Sequence, residues 1–286
     1  MAVAVGEISY TNIWPLYYYL DRARLKQLGC SFIPHVPAQL NHAMATGVID
    51  VGGISSFAYA ENVDRYQLLP DLAVASKKQV GSIFLFSKVP ITDLHEKKIA
   101  LTSSSATSVN LLKIILKNFY DIDVNYSVQA PNFGEMMATH DACLLIGDDA
   151  ILTLWRKARG YYRYDMGELW YEHTGYPMTY AVFAVRNEVL ANERDVIEAL
   201  HQEFIHSKQK SEREHYQPMI AKIRNDFGGE RSFWETYFSG LTHDLDEKQL
   251  EGLLYYYKLA YQQGLLKKQV QSISLWSAHG KCHSIL

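Results

Sequence analysis

A run of hydroxyl side chains is the strongest chemical signal in the chain. Six of the seven residues from Thr102 to Ser108 are serine or threonine, and an amphipathic helical pattern follows directly. The first N–H groups of a helix have no partner within it, and the helix dipole adds partial positive charge there, so the turn favours an anion. Capping needs only one hydroxyl. The turn therefore predicts a carboxylate site, with a helix cap and a polar loop as the alternative.

Three further turns carry polar residues that could face a ligand. Asn12 precedes a helix that starts near Pro15, so its amide either caps that helix or points into a cleft as both donor and acceptor. Ser55 and Ser56 open another helix and are either caps or ligands in the same way. In the segment 147–149, one aspartate is expected to cap a helix, and the other could orient hydroxyls or pass a proton.

The elements between these turns follow a repeating plan. Short apolar runs alternate with helical patterns through the first 185 residues, which predicts parallel βα units. The plan starts again at Lys98, and Met44-Ala45-Thr46 returns as Met137-Ala138-Thr139. Because ligands bind beyond the carboxyl ends of parallel strands, two facing lobes would bring all four turns to one cleft.

The predicted fold class is therefore α/β, with two lobes and a ligand cleft between them. Residues 1–88 and 185–286 are expected to form the first lobe, and residues 89–184 the second. Strands Ile83–Phe86 and Tyr180–Val185 would be the two crossings and would supply a hinge. The mostly helical remainder after Asn187 is expected to pack on the first lobe.

The composition excludes several classes of partner and cofactor. A net charge of −3 gives no electrostatic footprint for nucleic acid, and no stretch has the roughly 18 apolar residues that span a bilayer. Three scattered cysteines and a start without a basic lead predict a cytoplasmic protein without disulfides or a signal peptide. Metal-ligand spacings, phosphate loops and a serine-hydrolase elbow are missing, so we expect activity without metal, nucleotide or flavin. His279, Cys282 and His283 are interpreted as a tail, not as a metal site.

Several separated motifs, in order along about residues 5–185, resemble the menaquinone biosynthetic chorismate dehydratases. They are Val5-Gly6-Glu7-Ile8-Ser9-Tyr10 with Asn12 and Pro15-Leu16, Val80-Gly81-Ser82-Ile83 with Leu85-Phe86-Ser87, the turn 102–108, Leu145-Ile146-Gly147-Asp148, Tyr164-Asp165-Met166-Gly167-Glu168-Leu169-Trp170, and Thr174-Gly175-Tyr176-Pro177. Thr11 stands where that family has a bulkier apolar residue.

The resemblance implies a periplasmic-binding-protein type II fold turned to catalysis. It implies the loss of water from chorismate, which gives 3-[(1-carboxyvinyl)oxy]benzoate in the futalosine pathway. Carried onto this chain, the resemblance makes Asn12 and Ser82 the polar groups at the reacting centre. The expected substrate-binding residues are Ser55, Ser56, Ser105, Thr107, Ser108, Gly147 and Asp148, with Thr107 and Ser108 anchoring a carboxylate.

Two other functions remain open on the sequence alone. A solute-binding protein for a small carboxylate shares the fold, but it would normally carry a signal or lipobox, which we do not find. The sister 1,4-dihydroxy-6-naphthoate synthase also shares the fold, but it normally opens with a Cys-Pro-Asn-Asp type of motif that this sequence lacks. We expect chorismate as the small-molecule partner and no nucleic acid or membrane.

Overall fold

Two β-sheets, each covered by helices, form the framework of the molecule. The computed structural model describes residues 2–156, 159–278 and 283–285, the last three by their backbone alone. The strands are β1 (Val3–Ile8), β2 (Cys30–His35), β3 (Val51–Ser55), β4 (Tyr66–Ser76), β5 (Ile83–Ser87), β6 (Lys98–Thr102), β7 (Asn125–Gln129), β8 (Ala142–Ile146), β9 (Tyr162–Asp165), β10 (Met178–Arg186), β11 (Leu241–Thr242), β12 (Ile273–Leu275) and β13 (His283–Ile285).

The α-helices of the described residues alternate with the strands in the first two thirds of the chain and follow one another in the last third. They are α1 (Trp14–Tyr17), α2 (Arg22–Gln27), α3 (Pro37–Thr46), α4 (Ser56–Glu61), α5 (Thr107–Tyr120), α6 (Phe133–Thr139), α7 (Gly147–Arg156), α8 (Met166–Thr174), α9 (Asn187–Leu190), α10 (Arg194–Arg213), α11 (Gln217–Phe227), α12 (Arg231–Gly240) and α13 (Glu247–Gln262). His279, Cys282 and the side chain of His283 lie outside the described residues, and so does the interpretation of that segment as a tail.

The two sheets share one arrangement of strands. The larger sheet has the order β13-β12-β4-β10-β3-β1-β2, with β11 paired to β4, and the smaller sheet has the order β7-β6-β8-β5-β9. In the larger sheet β1 is parallel to β2 and β3, and β10 runs antiparallel beside β3. In the smaller sheet β6 is parallel to β7 and β8, and β5 runs antiparallel beside β8. The same topology thus occurs twice, in agreement with the repeated plan of the sequence.

The crossings between the sheets precede the boundaries that the sequence suggested. Strand β5 lies wholly in the smaller sheet, where it pairs with β8 and β9, and β10 lies wholly in the larger sheet. The chain therefore crosses within residues 77–82 and 175–177, and the boundaries expected after residues 88 and 184 are corrected accordingly. Both crossings are short: the first carries the polar run Lys77-Lys78-Gln79 between two apolar strands, and the second is Gly175-Tyr176-Pro177.

The apolar core is continuous through both sheets. Along β5, Ile83 and Leu85 face this main core, while Phe84 and Phe86 face a smaller cluster on the opposite side of their sheet. This alternation is the period of two that a strand buried on both faces imposes. Within the described residues, no helix is both long and apolar enough to cross a membrane.

The last long helix holds the two lobes together. Helices α10 and α12 contact strands of the larger sheet, whereas α13 contacts α4 and β10 of the first lobe and also α5 of the second. Two buried tyrosines of α13 make the connection: the Tyr257 hydroxyl donates to the Ser56 carbonyl (2.7 Å), and the Tyr256 hydroxyl donates to the Thr107 carbonyl (3.1 Å). Each bond ties α13 to the first residue of a helix that starts beside the cleft.

Candidate active site

The turns that follow β1, β3 and β8 meet the turn before α5 at one small cavity between the lobes. The described residues that line it are all uncharged: Ile8, Tyr10, Asn12, Pro37, Ser55, Val74, Ile83, Ser105, Ser108, Ile146, Gly147, Tyr180 and Ala181. The cavity encloses about 50 Å³. Small-molecule pockets hold roughly 300–1,000 Å³, so the cavity as it stands is too small for such a ligand. The lobes contact each other across it through the bonds from Tyr10 and Thr11 to the turn after β8.

Asn12 is one of the residues that line this cavity. The residue lies in a short 3₁₀ turn, Thr11–Ile13, directly after β1, and its backbone carbonyl accepts a hydrogen bond from His243 Nε2 (2.7 Å). The amide itself makes no hydrogen bond to any other described residue. The structure therefore gives Asn12 no capping role and leaves both its donor and its acceptor free for a ligand.

In the turn before α5, one serine caps the helix and another leaves its hydroxyl free at the cavity. Ser105 Oγ accepts from the Ser108 N–H (3.1 Å) and so satisfies one of the open donors at the helix start. Ser108 is buried and lines the cavity, and its hydroxyl has no hydrogen-bond partner among the described residues. Capping and ligand binding are therefore not alternatives here, because different hydroxyls of the same turn serve them.

Ser55 is oriented by a residue that the sequence did not reveal. Its hydroxyl oxygen accepts from the Ala58 N–H (3.1 Å) and from Asn41 Nδ2 (3.1 Å), while Asn41 Oδ1 accepts from the Ser55 N–H (2.9 Å). A hydroxyl has two acceptor positions and one proton, so the proton of Ser55 is left for a group in the cavity. Asn41 lies on α3, and nothing in the local sequence pattern connects it to this turn.

Ser56 and Thr107 do not line the cavity, although both were expected to bind substrate. Thr107 Oγ1 accepts from the Phe57 N–H (3.1 Å), donates to the Tyr180 carbonyl (3.1 Å) and lies 3.2 Å from Ser56 Oγ. Ser56 donates to the Thr179 carbonyl (2.8 Å). Both side chains are fully buried and occupied by bonds that join the start of α5 to the first lobe.

This arrangement makes Thr107 important for stability. Thr107→Val keeps the shape of the side chain but leaves the buried N–H of Phe57 and the carbonyl of Tyr180 without their partner. Unsatisfied buried groups cost roughly 1–3 kcal/mol each, so we expect the free energy of unfolding to fall by about 2–3 kcal/mol. Urea unfolding followed by circular dichroism measures the difference. The control is Thr92→Val on the exposed surface, and an equal small change in both variants would contradict the assignment.

Ser82 lies behind the cavity wall, one residue before the lining residue Ile83. Its hydroxyl oxygen accepts from the Tyr237 hydroxyl (3.0 Å), and its carbonyl accepts from the Gly147 N–H (2.7 Å). Because Tyr237 occupies an acceptor position, the proton of Ser82 has no assigned acceptor among the described residues. Tyr237 lies on α12, far along the chain, and no local sequence pattern connects it to Ser82.

The turn at Gly147 closes the cavity from the second lobe. Gly147 has φ +58°, and a Cβ there would stand 2.9 Å from ring atoms of Tyr10, so this ring lies directly on the glycine. The Tyr10 hydroxyl donates to Asp149 Oδ2 (3.3 Å) across the cleft. Both the backbone conformation and the close approach require a residue without a side chain at this position.

Asp148 and Asp149 point across the cleft instead of capping their own helix, which corrects the expected cap. Both lie in the first turn of α7. Asp148 accepts from the Thr11 hydroxyl (2.6 Å) and, more weakly, from the Thr11 N–H. Burial raises the pKa of Asp148 to about 6, although the bonds from Thr11 act in the opposite direction. Asp148 thus fixes the turn beside Asn12 and does not itself line the cavity.

The raised pKa predicts a pH-dependent stability. The folded-state pKa lies above the unfolded value, so the stabilisation from the bound proton is complete below the unfolded pKa and is lost as pH rises through about 6. Asp148→Asn cannot titrate. We therefore expect the free energy of unfolding of the variant, relative to that of the original protein, to rise by about 2 kcal/mol between pH 4.5 and 7.5, so that the variant gains relative stability as pH increases. Urea unfolding at several pH values measures this, and a difference independent of pH would contradict the interpretation.

Two facing lobes, an antiparallel strand in each sheet beside the parallel set, and a closed cavity between them define a periplasmic-binding-protein fold. Comparison with solved structures supports this fold assignment. Protein AF1704 from Archaeoglobus fulgidus superposes with a TM-score of 0.72 at 18% identity, covering 93% of this chain and 98% of its own. The alkanesulfonate-binding protein SsuA from Xanthomonas axonopodis pv. citri, bound to MOPS, gives 0.70 at 15% identity, covering 94% and 95%. At these identities the likeness concerns the fold alone.

Sequence comparison narrows the class to one family. Residues 3–262 match the family model described as menaquinone biosynthesis. A chorismate dehydratase of Thermus thermophilus is 33% identical over 198 residues, which cover 64% of this chain and 70% of the relative. The chain belongs to the menaquinone biosynthesis family.

Proposed function

We propose that the protein is a chorismate dehydratase, a carbon–oxygen lyase that releases water from chorismate and forms 3-[(1-carboxyvinyl)oxy]benzoate in the futalosine pathway. One observation carries the proposal: in a chain of the menaquinone biosynthesis family, the cavity between the lobes is lined by neutral hydrogen-bond donors and apolar walls. The similarity to the Thermus thermophilus chorismate dehydratase supports the same activity.

The cavity suits a small dicarboxylate with an apolar ring. Ser55 and Ser108 offer hydroxyl protons, and the dipole of α5, fourteen residues long, favours negative charge at the same end. Ile8, Val74 and Ile146 supply the apolar surface for a ring. In our proposal Ser55, Ser105 and Ser108 hold a carboxylate, while the Gly147 turn covers the substrate.

The elimination removes the C3 proton and the C4 hydroxyl, and the product gains an aromatic ring. Asn12 is proposed to bind the group on which charge develops as water leaves, because it lines the cavity and its amide has no partner among the described residues. Ser82 is the second proposed donor, since its proton is unassigned and it adjoins the lining residue Ile83. Among the described residues that line the cavity, none has a carboxylate or an imidazole side chain. The proposed base is therefore the substrate's own enolpyruvyl carboxylate.

The proposal includes a cytoplasmic location and activity without metal, nucleotide or flavin. Dialysis against a strong chelator should leave the rate unchanged, and a loss that a divalent ion restores would contradict this part.

Incubation of the purified protein with chorismate tests the function directly. The expected result is a stoichiometric product lighter by one water, detected by mass spectrometry, with the ultraviolet spectrum of a substituted benzoate. Tight binding of chorismate without turnover would favour a solute-binding protein instead. Neither binding nor turnover would contradict the proposed substrate.

A further inference from the structure

His243 is in direct contact with the backbone of Asn12, which lines the cavity. Its Nε2 lies 2.7 Å from the Asn12 carbonyl oxygen, and only 1% of the residue's surface is exposed. A carbonyl can only accept, so Nε2 carries the proton. The two residues are far apart in sequence, and nothing in the chemistry of the cavity itself uses the imidazole.

The backbone of His243 is fixed to the larger sheet. The preceding strand β11 pairs with β4, with Leu241 opposite Ser76 and Thr242 opposite Ala75. The His243 carbonyl then accepts from the Ala73 N–H (3.1 Å) of the same strand. The ring is therefore held against the Asn12 turn by the rigid part of the first lobe, independently of the second lobe.

The other ring nitrogen of His243, Nδ1, has a cost but no partner, which sets off the bond that Nε2 makes to Asn12. His243 Nδ1 is buried and has no hydrogen-bond partner among the described residues. Burial lowers the pKa of the imidazole to about 4, so the ring is neutral near pH 7 and Nδ1 is an unpaired acceptor. An apolar residue would fill this space without an unpaired atom. The one polar contact that the ring does make is the bond to Asn12.

We propose that His243 is a positioning residue for the reaction: its Nε2–H fixes the carbonyl of Asn12 and thereby holds the Asn12 amide in the geometry that dehydration requires. Asp148 binds Thr11 from the second lobe, whereas His243 binds the Asn12 carbonyl from the first lobe. The inference rests on the proposed function for its kinetic consequence, but the contact itself can be tested without it.

The experiment compares three variants that differ in where they place a donor. Glutamine can put its side-chain nitrogen where histidine has Nε2, asparagine reaches only the Nδ1 position, and leucine has no donor. We expect His243→Gln to keep kcat within about fivefold. His243→Asn and His243→Leu should lose about 10–100-fold in kcat with KM within about threefold, because a misplacement of about 1 Å is enough for such losses. Thermal melting of all three variants shows whether the fold is intact.

A second readout does not depend on turnover. The Asn12 side-chain NH₂ signal in a ¹⁵N–¹H spectrum, assigned by its loss in Asn12→Asp, should be unchanged in His243→Gln and shifted in the other two variants. Equal losses of kcat in all three variants, or an unshifted Asn12 signal in His243→Leu, would overturn the inference. If the original protein does not dehydrate chorismate, the proposed function fails, and the Asn12 signal alone decides whether His243 positions this amide.

Discussion

Replacement of Asn12 by alanine should lower kcat for chorismate dehydration by about 10²–10³ and change KM by less than tenfold. Of the two polar lining residues on the first turn of the first lobe, Tyr10 is bonded to Asp149, whereas the Asn12 amide has no hydrogen-bond partner among the described residues. A donor that meets charge only as water leaves stabilises the transition state more than the bound substrate, and the loss of one such donor typically costs about 10²–10³ in rate. Steady-state kinetics with chorismate measures both constants.

The matched control lies on the same turn. Ser9 is exposed, and its hydroxyl points at the His35 carbonyl (3.4 Å), away from the cavity, so Ser9→Ala should retain the original kcat. If Asn12→Ala kept kcat within tenfold while melting normally, Asn12 would not be the catalytic donor. A loss confined to KM would make Asn12 a substrate-binding residue.

Gly147→Ala should reduce kcat/KM by about 10–100-fold with little loss of secondary structure. A Cβ at this position would meet three atoms of the Tyr10 ring at 2.9–3.0 Å, and the ring cannot retreat without giving up its bond to Asp149. The cleft would then close incompletely and leave water in the site. An active site that excludes water strengthens the electrostatic interactions within it, so incomplete closure weakens catalysis.

Gly264 supplies the control for backbone strain. It has φ +71°, similar to Gly147, but a Cβ there would meet nothing within 4 Å, and it lies outside both crossings between the lobes. Alanine in this conformation costs about 1–2 kcal/mol at either position, so Gly264→Ala should lose stability without losing activity. Melting and steady-state kinetics of both variants separate strain from the contact with Tyr10. Equal activity in the two variants would show that the approach of Tyr10 does not matter.

The sequence predicted which turns meet at the cavity better than it predicted which side chains face it. Asn12, Ser55, Ser105, Ser108 and Gly147 all line it, because turns at the carboxyl ends of parallel strands share one edge of each sheet. The direction in which each side chain points, toward the cavity or away from it, was harder to predict. In a helical first turn, successive residues point about 100° apart, so Ser55 faces the cavity while Ser56 faces the β10 backbone.

The longest strand, β4, was not predicted, for a local reason. Pro70 and Asp71 interrupt its apolar pattern, and proline normally argues against a central strand. Asp71 has φ +58°, and the pairing with β10 shifts register across this point. The strand therefore contains an irregularity that the rest of the sheet accommodates, which periodicity alone cannot show.

The positioning groups could not be predicted from the sequence at all. Asn41, Tyr237 and His243 act on Ser55, Ser82 and Asn12 from distant elements. Each is an ordinary polar residue in its local pattern, and its role depends on how α3, α12 and the segment after β11 pack against the turns. Such contacts are tertiary, so they become visible only in three dimensions.

If the bonds of Thr107 persist when the cleft opens, they would also set the order in which the proposed substrate meets the two lobes. Thr107 joins the start of α5 to the Phe57 N–H and the Tyr180 carbonyl of the first lobe, and Tyr256 holds its carbonyl. An opening motion that keeps these bonds pivots at this point. Ser105 and Ser108 then stay beside Ser55, while the Gly147 turn swings away. The carboxylate would be captured by a site that exists before closure, and the groups around Asn12 would engage last.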